Sequence, residues 1–221
     1  MKRQNSGFTL VEIAIVLVIV GLLIGGVLKG QEMITNAKLK RIESDNAGIA
    51  AAMFSYQDRY LQLPGDDSGA YDRFDVYSLG AIAAADINGS GNGTVDGAWN
   101  ANNGNSIGNA SVEAEVFWAH LRAAGLVAGG GTDTTRQTNA YGGLIGIQDS
   151  SLGIAGHVTI FGQIEGPIAK IIEARLDDGR PDAGRIQAGL NTNLMAGSST
   201  TADTAEAAYD DGLRYNLAFR L

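Results

Sequence analysis

The sequence predicts an α+β protein in which one long N-terminal helix, membrane-spanning in its first half, packs on a small antiparallel β-sheet head with extra helices and long loops. Three observations predict it. Phe8 to Leu28 is an apolar run with a single charged side chain, Glu12. The polar segment beyond it keeps an apolar stripe, Ile42, Ile49, Met53, Tyr56 and Tyr60, at helical spacing. The chain then closes on LRYNLAFRL, where Leu213, Tyr215, Leu217, Phe219 and Leu221 alternate with Arg214, Asn216, Ala218 and Arg220, the pattern of a half-buried strand. With 221 residues, 45% of them hydrophobic, there is enough chain for one compact domain plus an appendage. A formal charge of -8 disfavours a phosphate surface, so no nucleic-acid partner is expected. The absence of cysteine excludes a disulfide framework, thiol catalysis and thiolate metal sites.

The N-terminal run comes first. At about 1.5 Å per residue, a helix from Phe8 to Leu28 covers the roughly 30 Å hydrocarbon core of a bilayer. Lys2 and Arg3 precede it, which places the N-terminus in the cytoplasm and everything after Leu28 outside. The run passes through Gly25-Gly26 directly into a polar helix, unlike an ordinary secretory signal with its small-residue cleavage site. Gly21 and Gly25, like Gly26 and Gly30, are four apart, the spacing that lets membrane helices approach closely. Glu12 is costly in lipid and needs a partner. Lys38, Lys40 and Arg41 form a basic belt above the membrane. The helix is expected to run to about Leu61, where LPGDD supplies Pro64-Gly65 as a stop.

Residues 111 to 127 read as a helix with a Ser cap and with Val116, Phe117 and Leu121 on one face. GGLIGIQD and HVTIFGQI read as strands, and GPIAKIIEARLDDG as a helix opened by Pro167 and closed at Gly179. Residues 190 to 211 are polar and alanine-rich, a loop. The domain expectation is therefore 1–7 as a leader, 8–28 as the membrane half of the helix, 29–63 as its amphipathic half and 64–221 as the head. Two candidate sites lie in the head. DINGSGNGTVDG puts Asp86, Asn88 and Ser90 at loop positions 1, 3 and 5 with Gly91 at 6, the oxygen spacing of a calcium loop. Gly97 stands where a bidentate Glu belongs, so Asp96 or the distant Glu113 would have to complete the set; the competing reading is a metal-free Gly/Asn turn cluster. Asp177-Asp178-Gly179 is expected to end a helix and hold a turn. His120 and His157 are the only histidines, neither lies in HExxH, and neither a GxSxG elbow nor a phosphate-binding loop is present, so the chain is not expected to be an enzyme.

MKRQNSG followed by FTLVEIAIVLVIV resembles the leader-plus-helix signature of the type IV filament superfamily, the pilins and the pseudopilins of type II secretion. The resemblance implies cleavage between Gly7 and Phe8 by a prepilin peptidase, N-methylation of the Phe8 amine, and assembly with related subunits or further copies through an inner-membrane platform. It also gives Glu12 a partner, the Phe8 amine of a neighbouring subunit, so that the pair sets axial register; Gly21, Gly25 and Gly26 then serve helix packing. Many pilins carry a helix-breaking proline nearby, where this chain has Lys29. LPGD, a Gly/Asn-rich loop, an FW-x-H-L helix and DDG-x-P-x-x-G-x-I, in this order, resemble a less well defined group of pilin-like proteins. The implied location is the inner membrane before assembly, and a cell-surface filament or periplasmic pseudopilus after it. Competing readings are a type II secretion pseudopilin moving exoproteins, and a non-polymerising membrane-anchored module binding calcium or carbohydrate.

Overall fold

The structure is a computed structural model, described here over residues 9–79, 83, 87–100, 112–190 and 207–221. Its contacts divide the chain into two units, Met1–Lys40 and Arg41–Leu221. Helix α1 runs Leu10–Tyr60. In the first unit, every large apolar side chain from Leu10 to Leu28 is exposed. This is the one helix among the described residues long and apolar enough to cross a membrane. The helix stops where the sequence predicts: Leu61 takes a left-handed φ of 55° while its N–H still bonds Gln57 O at 2.8 Å, and LPG follows.

The second unit is built on a four-stranded antiparallel sheet ordered β1-β2-β4-β3, with β1 at Ile145–Ser151, β2 at Ile154–Glu165, β3 at Ile186–Leu190 and β4 at Arg214–Arg220. Register aligns Ile147 with Thr159, Thr159 with Phe219, and Phe219 with Ile186 across all four strands. The Thr159 hydroxyl donates to Asn46 Oδ1 of α1, so this row faces the helix. Ile42, Ile49, Met53 and Tyr56 of the predicted stripe are buried, while Tyr60 at its end is half-buried. The opposite face carries Val158, Ile160 and Ala218 against Trp99. The final strand is therefore covered on both sides, where alternation predicts half-burial: a loop tryptophan far away in sequence closes the second face.

Helix α5, Gly166–Leu176, has Pro167 in its first turn as expected. It ends at Asp177, whose N–H bonds Glu173 O at 2.8 Å, rather than at Gly179. Strand β3 is unanticipated, as are the short helices α2 (Ala70–Arg73) and α3 (Asp75–Leu79). Helix α4, Glu113–Ala123, differs from expectation twice. Its cap residue is Val112 with no side-chain cap, and the Ala114 N–H is met by the Asp96 carbonyl at 3.1 Å; Ser111 lies outside the described residues. It is also buried on every side from Glu113 to Arg122 rather than along one stripe. Its charged residues are tolerated there because they are bonded or paired: Arg122 donates to the carbonyls of Ala128, Asp133 and Thr135, and Glu115 lies 3.5 Å from the Arg136 guanidinium. Of the predicted 190–211 loop, residues 191–206 lie outside the described residues.

Candidate functional site

Two places carry the predicted chemistry, the start of α1 and the loop around residues 86–97. Gly7 and Phe8 lie outside the described residues. Thr9 and Glu12 form a reciprocal box at the helix start. Glu12 Oε2 accepts from the Thr9 N–H at 2.8 Å and from its hydroxyl at 2.9 Å, while the Glu12 N–H donates to Thr9 Oγ1 at 3.3 Å. This is the T-x-x-E capping pattern, and it satisfies two of the donors that a helix start leaves open. It was legible in FTLVE but hidden behind the question of a charge in lipid. The same bonds hold the carboxylate at the N-terminal end of the helix. Gly21, Gly25 and Gly26 have no heavy atom within 4 Å of where a Cβ would stand, so their side of the helix is open for close approach.

The 86–97 loop is arranged around an anion. Asp66, from LPGDD, is buried, and its carboxylate accepts the N–H groups of Gly91 (2.6 Å), Asn92 (3.0 Å) and Gly93 (2.7 Å) together with the Ser90 hydroxyl (3.0 Å). Successive backbone N–H groups turned inward make an anion-binding concavity. The predicted calcium ligands are spent elsewhere. Asn88 Oδ1 accepts the Tyr71 N–H at 2.8 Å, and Asp96 accepts Asn92 Nδ2 at 3.0 Å and the Thr94 hydroxyl at 2.9 Å. Glu113 accepts the N–H groups of Ser90 at 2.7 Å and Asp96 at 2.8 Å. Asp86 lies outside the described residues. The described members thus do not converge as a cation cage; the donor set fits a carboxylate, and Asp66 supplies it. Gly65 makes the entry possible, with φ +92° and a backbone so close to α4 that a Cβ would fall 2.7 Å from Glu113 O.

Behind the loop lies a buried polar cluster. Asp67 accepts the Tyr56 hydroxyl at 2.7 Å, two bonds from the Arg73 guanidinium at 3.1 Å each, and the Gly69 N–H at 2.9 Å. Burial pushes the Asp67 carboxyl up, but these donors outweigh it and hold it below the usual carboxylate range. His120 is wholly buried, with Nδ1 accepting the Gly65 N–H at 2.9 Å and Nε2 2.8 Å from Ile87 O. The first contact fixes the tautomer, so Nε2 carries the proton and donates it to the carbonyl. His157 lies 3.2 Å from Asp149 across the β1–β2 ladder. His120 is thus a bonded core residue joining the turn, the loop and α4.

Residues 2–28 match the family model of the prokaryotic N-terminal methylation motif. No curated protein and no solved structure matches the chain. The matched segment takes in the whole run from Leu10 to Leu28 whose large apolar side chains are exposed. The match is confined to this segment, and it marks residues 2–28 as a class III signal peptide of the kind that type IV pilins carry.

Proposed function

We propose that the chain is a structural subunit of a type IV filament. The observation that carries this reading is the methylation motif opening a helix whose apolar side chains, from Leu10 to Leu28, have no protein to cover them. Such a surface requires either lipid or other helices, and a filament subunit uses both in turn. The positive charges of Lys2 and Arg3 hold the leader in the cytoplasm, where prepilin peptidase cuts between Gly7 and Phe8 and the new amine is methylated. An inner-membrane platform then lifts the subunit out of the bilayer. In the dry core of packed helices the Phe8 amine of an incoming subunit pairs with Glu12 of its neighbour, because a misregistered subunit leaves both charges unpaired. Gly21, Gly25 and Gly26 give the close approach that such a core needs.

The experiment is intact-mass analysis of sheared filaments and of the membrane fraction, with wild-type chain and Glu12→Ala. Wild type is expected in the filaments, beginning at N-methylated Phe8. Glu12→Ala is expected to be processed, to remain in the membrane and to be missing from the filaments. Incorporation of Glu12→Ala at the wild-type level would remove the pairing, and an uncleaved wild-type chain beginning at Met1 in both fractions would overturn the filament reading itself.

A further inference from the structure

Three carboxylates meet where α5 gives way to β3. Glu173 lies in the last turn of the helix and Asp177 and Asp178 follow it, and one oxygen of each lies within 4.8 Å of the others. Glu173 is wholly buried; among the described residues its Oε2 has no hydrogen-bond partner, and its other oxygen accepts one long bond, from the Tyr209 hydroxyl at 3.4 Å. The aspartates are held in place by backbone. Asp177 Oδ2 accepts the N–H groups of Arg185 at 2.5 Å and Ile186 at 2.8 Å, and Asp178 Oδ1 accepts the Arg180 N–H at 2.9 Å. Gly184, at φ +81°, lets the chain pass so close to Asp177 that a Cβ there would overlap its carboxylate. Among the described residues, no lysine or arginine forms an ion pair with Glu173 or Asp177, while Arg180, whose guanidinium bonds Asp182, also feels the charge of Asp178.

A buried carboxylate oxygen without a donor, beside two more carboxylates, is an electrostatic deficit that folding ordinarily avoids. We propose that Glu173, Asp177 and Asp178 bind a calcium ion that clamps the end of α5 to the start of β3. The donors are all oxygen, which selects a hard cation. Calcium takes six to eight oxygens in adaptable geometry and so accepts an irregular turn, its remaining positions going to water, whereas magnesium demands a near-ideal octahedron. This clamp is independent of filament assembly and stands or falls apart from it.

The test is a thermal melt of the full chain in detergent micelles at pH 7, in EDTA, in millimolar CaCl2 and in millimolar MgCl2. It is paired with terbium luminescence sensitised by Tyr209, the aromatic hydroxyl bonded to Glu173. Calcium at a hundredfold excess over its Kd is expected to raise Tm by about 5–10 °C over EDTA, with terbium luminescence that calcium competes away. Glu173→Gln, which copies the protonated acid in shape, and Asp178→Asn are each expected to keep the EDTA Tm within about 2 °C and to lose the calcium shift. Three results would overturn the proposal: equal Tm in calcium and EDTA with no luminescence, a calcium shift that survives in both variants, or a response to magnesium alone.

Discussion

His120 uses both ring nitrogens inside the head, and that makes it a titration switch for stability rather than for chemistry. Burial lowers its pKa to about 4, against the hydrogen bond to Ile87 O and the nearby Asp67 charge, which raise it, and with Arg73 adding a small push down. Protonation at Nδ1 would also cost the bond from the Gly65 N–H. The sign follows from a folded pKa depressed below the unfolded value near 6.5: between the two, the unfolded chain binds the extra proton. The contribution is complete above about pH 6.5 and is lost progressively as pH falls to about 4, a change of about 3 kcal/mol. Urea unfolding of wild type and His120→Gln across pH 4 to 7 checks it, with the difference between the chains as readout because their other groups cancel. The variant is expected to be less stable at pH 7 and to approach wild type toward pH 4. A constant gap at all pH values would show that His120 does not carry the titration.

At the scale of an element, the turn LPGDD and the loop from Asn88 to Asp96 fold as one piece, because neither satisfies its polar groups alone. Asp66 closes the loop through three backbone N–H groups and a hydroxyl, and Gly89 and Gly91 return bonds to the carbonyls of Asp67 and Asp66 at 3.0 Å each. Asp66→Ala strands those donors, and the expected cost in urea unfolding is about 2–4 kcal/mol, with Asp66→Asn keeping part of the stability. An Ala variant within about 0.5 kcal/mol of wild type would mean that water replaces the carboxylate without loss. The sequence read this loop for its oxygens when its glycines were the better signal, since a Gly-rich stretch next to an aspartate presents N–H groups as readily as side chains. The helix stop at Leu61, the Pro167 turn and strands β1, β2 and β4 were legible because each depends on a local pattern. Strand β3 was not: IQAGL is five residues with a glycine, and only pairing with β4 makes it a strand. The burial of Ala218 was equally hidden, because it depends on Trp99, distant in sequence.

At the scale of the whole molecule, the two units answer to different solvents. Residues 10–28 bury none of their side chains, and the head's buried apolar residues all come from beyond that run, so the core of the head owes the apolar run nothing. The local code explains why this half was the clearest in the sequence: a single helix bonded to itself needs only composition and length, and lipid demands both. A chain beginning at Lys29 keeps the whole amphipathic part of α1, including Ile42, Ile49, Met53 and Tyr56, which the sheet requires as its cover. It is therefore expected to be monodisperse without detergent by gel filtration, and to melt within about 3 °C of the full chain in micelles, since substitutions and deletions away from a core change stability little. A chain beginning at Gly65 lacks that cover and exposes the Thr159–Phe161 face of the sheet, so it is expected to aggregate. If the Lys29 chain aggregated as well, the apolar run would be part of the folding unit and not an anchor appended to it.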